Sequence, residues 1–205
     1  MGPVTEAQAH RQVVECGSAG AALEGESGDV HVVAPFSDGV LVAVIDGLGH
    51  GSEAAAAANE AAAVLQAFAG EPVAALIERC HEALHKTRGA VMSLASFDGR
   101  VSSMTWFGVG NVEGVLLHAE GPRRDTVTLR GGIVGYQLPA LRPSALPVSP
   151  GDTLIMATDG IRAGFVTDLT GEGSPQEIAQ SILDRYGRGS DDALVVVARY
   201  LGGTA

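Results

Sequence analysis

Residues 40–68 read VLVAVIDGLGHGSEAAAAANEAAAVLQAF. The first six form an unbroken apolar run of strand length, the pattern of a strand buried on both faces. Asp46 stands at its mouth, and residues 47–51 make a glycine-rich loop. From Ser52, a residue suited to an N-cap, an alanine-rich stretch predicts a helix to about Phe68. Upstream, residues 13–23 read as a strand or bent strand. Residues 29–34 (DVHVVA) alternate, and Ser37-Asp38-Gly39 supplies a hairpin turn into the apolar run.

Downstream, residues 72–87 predict a second helix. Pro72 suits its first position, and Val73, Leu76, Ile77, Cys80 and Leu84 form one apolar face. Residues 91–97, 101–108 and 112–119 are strand-like, with Asp98-Gly99 as a hairpin signal between the first two. Residues 126–129 add a short strand, and residues 130–147 are turn-rich. Pro150-Gly151-Asp152 turns into an apolar strand over 153–158. Ser174 caps a helix over 175–186, and residues 193–201 (ALVVVARYL) close the series as a strand. Strands in runs joined by hairpins, with helices between the runs, predict an α+β architecture with antiparallel sheets.

The 205 residues suit one domain, residues 1–205. With 13 Lys and Arg against 24 Asp and Glu, the net charge of −11 argues against nucleic acid and anionic lipid as partners. It leaves room for a divalent cation. Cys16 and Cys80 are the only cysteines, so neither a disulfide scaffold nor a zinc ribbon can be built. Residues 1–10 have no apolar signal-peptide region, Glu6 stands where a myristoylation signal needs Ser or Thr, and no apolar run is long enough to span a bilayer. The expectation is a soluble cytoplasmic protein.

The chemistry is expected where the aspartates sit. Asp46 ends VLVAVI, Asp159 ends TLIMAT, and Asp191-Asp192 immediately precede ALVVVARYL. Unpaired buried carboxylates are costly, and several together repel. A hard divalent cation bound by oxygens resolves that repulsion. Asp46 and Asp159 are each followed by glycine, which lets a backbone carbonyl approach an ion. Taken singly, each Asp-Gly is more often a turn, and the metal reading rests on their coincidence at the ends of buried-type strands.

The hexapeptide Asp46-Gly47-Leu48-Gly49-His50-Gly51, after an apolar strand and before an alanine-rich helix, resembles the D-x-x-G-H-G signature of the metal-dependent protein phosphatases of the 2C (PPM) type, SpoIIE branch. Ser27-Gly28-Asp29, residues 154–161 (LIMATDGI) and residues 189–197 (GSDDALVVV) fall in that family's order. Residues 108–111 (GVGN) and 131–135 (GGIVG) are similar to its RsbX subgroup, bare phosphatase domains acting on the bacterial stressosome. The resemblance implies a four-layer αββα sandwich, two antiparallel sheets with helices outside. It implies two divalent ions, Mn²⁺ ahead of Mg²⁺. Asp46 would bridge both, the Gly47 carbonyl would ligate one, Asp159 and Asp191 would ligate the other, and Asp29 would act directly or through water. A metal-activated water would attack phosphoserine or phosphothreonine on a phosphorylated protein, a stressosome scaffold by subgroup. His50 would protonate the leaving alkoxide, or simply hold the start of the helix.

The chain departs from the branch at Leu194, where Thr is frequent, and at Arg162, where some relatives carry an acid. The short stretch between Asp159 and Asp191 argues against a flap insert and a third metal. A phosphate-binding arginine is not evident; Arg11 is the candidate near the N-terminus.

Three other patterns compete. His81-Glu82-Ala83-Leu84-His85 spells H-E-x-x-H, a zinc-peptidase motif, but no third ligand follows in sequence. The loop at 47–52 imitates a dinucleotide turn, yet Asp46 would repel a pyrophosphate. A non-catalytic, phosphatase-like binding module is the third alternative. Cys16 and Cys80 read as buried small hydrophobes, and His10, His31 and His118 have no ligand spacing.

Overall fold

The computed structural model describes residues 12–169 and 171–203; the readings made on residues 1–10 and on Arg11 lie outside them. In chain order the strands and helices are β1 (Val14–Ala21), β2 (Asp29–Phe36), β3 (Gly39–Gly47), α1 (Ser52–Ala67), α2 (Val73–Ala83), β4 (Ala90–Asp98), β5 (Ser103–Val109), β6 (Glu113–Leu117), β7 (Arg124–Thr126), β8 (Leu129–Arg130), β9 (Ser144–Pro147), β10 (Thr153–Ala157), α3 (Pro175–Tyr186) and β11 (Ala193–Tyr200). One sheet runs β1-β11-β10-β6-β7. The other runs β2-β3-β4-β5-β8, with β9 also on β5.

Period-two alternation sorts the core into layers. In β3, Leu41, Ala43 and Ile45 pack under α1 and α2, whereas Val40, Val42 and Val44 point the other way. In β10 and β11, Leu154, Met156, Leu194, Val196 and Ala198 meet those valines between the sheets. Ile155, Ala157, Val195 and Val197 face outward onto Ile178, Ala179 and Ile182 of α3. The result is the expected αββα sandwich, with two helices on one outer face and α3 on the other.

Several local expectations are corrected. Gly51, not Ser52, is the N-cap of α1, and no side chain caps it. The entry has φ +74 at Gly51, a conformation that glycine adopts without a Cβ penalty. Pro72 is the N-cap of α2, one place before the first helical position. That helix stops at Ala83 and tightens into a 3-10 turn over Leu84–Lys86. The Thr87 hydroxyl donates to the Leu84 carbonyl and Gly89 takes φ +81, which together end it. The single strand read at 126–129 is two, β7 and β8, in different sheets; Val127 between them packs toward the inter-sheet core. The turn-rich stretch contains β9, an edge strand that tolerates Pro147. One pairing, β5 with β8, is parallel. Ser174 behaves as expected, closing a full capping box with Glu177.

The first sheet ends at β1, whose free edge is covered. The Gln176 side-chain amide donates to the Ser18 carbonyl at 2.8 Å and its carbonyl oxygen accepts from Ser18 N at 3.1 Å. The start of α3 lies so close to β1 that a Cβ on Gly17 would sit 2.2 Å from Gln176 N. Gly17→Ala is therefore expected to lower stability by about 1–3 kcal/mol through forced displacement of α3. Urea denaturation checks this, and an unchanged midpoint would show that the helix yields freely.

Candidate metal centre

The inter-sheet layer runs out at one end of the sandwich, and the alternation that builds it also delivers the acids. Asp46 continues the series Val40, Val42, Val44 and pairs directly with Asp29 in the β2–β3 ladder. In the other sheet, Thr158 follows Leu154 and Met156, with Asp159 next to it, and Asp192 precedes Leu194 on the same face. Two strand ends from each sheet thus converge. Asp29, Asp46, Asp159, Asp191 and Asp192 line one cleft of about 300 Å³, with Leu48, Gly49, His50, Val91 and Asn111. A groove of about 350 Å³ at α3 is slightly larger, but it is floored by Phe165, Ile178 and Ile182 and gathers no such set of acids.

Each acid is held differently. Asp29 Oδ2 accepts from the Thr158 hydroxyl at 2.8 Å, which itself accepts from Leu194 N at 2.9 Å. A hydroxyl thus stands between the sheets at this level, supplied by Thr158, while the Leu194 side chain packs in the core. Asp159 is exposed, and its Oδ2 accepts from Asn111 Nδ2 at 2.8 Å. Asp191 is exposed and its Oδ1 accepts from Asp192 N. Asp192 is buried and serves the backbone: its oxygens accept from Leu23 N and Gly28 N, both at 2.7 Å, tying down the approach to β2. Asn111, Thr158 and Asp192 were not singled out from the sequence as site residues. The doubled Asp-Asp and the GVGN stretch were the available signals, but their partners are distant in the chain.

Gly47 is buried between two lining residues. A Cβ there would stand 2.1 Å from the Ala54 carbonyl oxygen of α1, so no other residue fits without moving the helix. A Cβ on Gly28 would lie 3.0 Å from Ala54 Cβ and 3.3 Å from the Gly47 carbonyl oxygen, so the chain is packed closely here; Gly47 itself is not among the residues that line the cleft. His50 is exposed on the cleft wall, and among the described residues its ring makes no hydrogen bond.

Burial pushes the Asp46 carboxyl up to about 8, helped by the charges of Asp29, Asp159, Asp191 and Asp192. Burial likewise pushes Asp29 up to about 7, against the Thr158 hydrogen bond and with the neighbouring aspartates. Among the described residues no Lys or Arg forms an ion pair with any of the five. A cluster of hard oxygen donors with no protein cation fits a divalent metal. The side chains do not yet form a cage: among the described residues no three His, Cys, Asp or Glu groups stand at metal-ligand spacing.

The H-E-x-x-H residues have another task. Because α2 ends at Ala83, His85 lies in the 3-10 turn and not on the same helix as His81. His81 Nδ1 accepts from Gly135 N at 2.9 Å, and His85 Nδ1 donates to the Gly135 carbonyl at 3.1 Å. The two rings, edge to face at 4.6 Å, clip the loop that carries Gly135. No third ligand joins them among the described residues.

Comparison with known proteins gives the family and the fold. Residues 37–201 match the family described as Stage II sporulation protein E (SpoIIE). Phosphoserine phosphatase RsbX of Bacillus subtilis (strain 168) is 27% identical over 180 residues, covering 85% of this chain and 88% of that protein. A chain solved in work on the bacterial stressosome, a modular system adapted to control secondary messenger signalling, is 33% identical; the match covers 92% of this chain and all of that one, with a TM-score of 0.82. A crystal structure of RsbX in complex with magnesium also superposes with a TM-score of 0.82, at 23% identity, covering 91% of this chain and 95% of that one.

A raised carboxyl pKa means that the folded state holds its proton where the unfolded chain has lost it. Asp46 therefore costs the metal-stripped protein stability progressively as pH rises from near 4 to about 8. Asp46→Asn is expected to raise the melting midpoint of the metal-stripped protein by roughly 2 °C or more at pH 8, and by much less at pH 5. Differential scanning calorimetry at both pH values checks this, and equal shifts at the two would refute the assigned cause.

Proposed function

The chain belongs to the SpoIIE family of metal-dependent serine/threonine protein phosphatases, and from that membership we propose how its residues divide the work and on what they act. The observation that carries the reading is the convergence of Asp29, Asp46, Asp159 and Asp191 on one cleft where, among the described residues, no Lys or Arg forms an ion pair with them. Asp46, the Gly47 carbonyl, Asp159 and Asp191 would hold two divalent ions, Mn²⁺ or Mg²⁺, with Asp29 completing the set directly or through water. When bound, such ions supply a water nucleophile at neutral pH and offset the charge of a phosphate monoester.

The remaining steps belong to the chain. Thr158 orients Asp29 and Asn111 orients Asp159, each engaging one carboxylate oxygen, and the other oxygen of each would serve an ion. His50, free to turn on the cleft wall, would hold the proton that the leaving serine or threonine alkoxide needs. Val91 and Leu48 supply apolar wall and limit water at the reacting group. The whole of residues 1–205 would act as one phosphatase domain.

The substrate is a protein phosphorylated on serine or threonine. The relatives support this: one is a phosphoserine phosphatase, and another was solved in stressosome work. A phosphorylated stressosome scaffold in the bacterial cytoplasm is the proposed partner. No helix among the described residues is long and apolar enough to cross a membrane.

Chelation is expected to abolish hydrolysis of an aryl phosphate, and Mn²⁺ or Mg²⁺ to restore it. Restoration by stoichiometric Zn²⁺ alone, with peptide cleavage, would support the peptidase reading instead. Asp46→Asn is expected to keep its circular dichroism and lose activity by at least about 100-fold. His81→Ala, which only loosens the Gly135 clip, should stay within a few-fold of wild type. A folded, fully active Asp46→Asn protein would refute the aspartate site.

A further inference from the structure

The cleft carries an acidic wall, and a phosphate monoester brings more negative charge to it. One guanidinium nevertheless reaches its rim. Arg88 lies between the 3-10 turn after α2 and the start of β4. Its Nη2 is paired with Glu53 in the first turn of α1. Its Nη1 faces the loop that lines the cleft: a Cβ built on Gly49 would stand 2.7 Å from it. Gly49 has φ +93, a backbone conformation that favours glycine at that point.

Two features set Arg88 apart from an ordinary surface pair. It packs against Gly49 of the cleft loop and forms no ion pair with the aspartates; its ion-pair partner among the described residues is Glu53. Its side chain is 51% exposed and that of Glu53 67%, so the pair itself contributes little to stability. What the pair does achieve is orientation. Glu53 engages one end of a planar fork, and the other end is turned toward a residue of the cleft wall. A guanidinium held in this way matches two oxygens of a phosphate, and its charge persists at any relevant pH.

We propose that Arg88 is a phosphate-binding residue of this enzyme, donating through Nη1 and its neighbouring N–H to non-bridging oxygens of the monoester at the Gly49 edge of the cleft, with Glu53 as its positioning residue. The proposal rests on the phosphatase reading above. It assigns to the α2–β4 connection a role for which only Arg11 stood out in the sequence.

The test uses the full-length protein loaded with Mn²⁺, and the variants Arg88→Ala, Arg88→Lys and Glu53→Gln. Three quantities are measured: kcat and KM on p-nitrophenyl phosphate and on a phosphoserine peptide, the inhibition constant of inorganic phosphate, and calorimetric binding of inorganic phosphate. Arg88→Ala should weaken phosphate binding and raise both KM values together, each by about 10-fold or more, with metal affinity and melting midpoint unchanged. Arg88→Lys should recover part of the loss, since it keeps the charge and loses the fork. Glu53→Gln should give a smaller loss of the same kind. Unchanged phosphate binding in Arg88→Ala would overturn the proposal and leave Arg88 as a surface pair. A higher KM for the peptide alone, with phosphate binding intact, would also overturn it, making Arg88 a contact to protein and not to phosphate. If the wild type binds phosphate but hydrolyses neither substrate, and Arg88→Ala loses that binding, the phosphatase reading falls while the assignment of Arg88 stands.

Discussion

Two carboxylates, Asp29 and Asp46, face each other across neighbouring strands where the layer between the sheets ends. Like charges directly opposite on a ladder repel, and burial sharpens the conflict by raising the proton affinity of both. The arrangement persists because register is not free to relax it. Eight consecutive residue pairs join β2 to β3, and nine join β3 to β4. A slip of one residue would turn the inward valines outward and place the acid under α1. The apolar layers therefore hold the acids together, and a divalent cation bound by oxygens is the species that would relieve the repulsion they enforce.

The alanine-rich helix is the second half of that constraint. Ala54, Ala57, Ala58 and Ala61 are fully buried, and their small side chains let α1 lie close on its sheet. That closeness reserves Gly47 and leaves only residues 48–51 to connect strand and helix. The short loop brings His50 to the cleft wall and sets Glu53 within reach of Arg88. A larger residue on the inner face of α1 would lengthen every one of these distances together.

The H-E-x-x-H stretch shows how one spelling serves two kinds of structure. Histidines at i and i+4 share a face only while the helix continues, and here it stops at Ala83. The imidazoles then meet a backbone, one accepting from Gly135 N and one donating to its carbonyl. Gly135 has φ +97, and a Cβ there would lie 2.7 Å from Leu84 Cβ, so the loop it carries fits tightly against the turn that holds it.

An α+β class with antiparallel sheets, and aspartates at the ends of buried strands, were legible in the residues alone; the four-layer order was implied by the family resemblance. Apolar runs of strand length, an alanine-rich helix and aspartates at strand mouths are local patterns, and local patterns can be read without contacts. The ends of elements were less legible: α1 begins on an uncapped glycine, and the segment around Val127 changes sheets, because packing and not propensity decides both. Only the tertiary structure decided which acids are oriented and by what. The Thr158 hydroxyl reaches Asp29 across 129 positions, Asn111 reaches Asp159 across 48, and Asp192 turns back to Gly28 across 164. Such bonds join residues whose neighbourhood exists only after two sheets have stacked, and no periodicity in the chain encodes which side chain will stand opposite which.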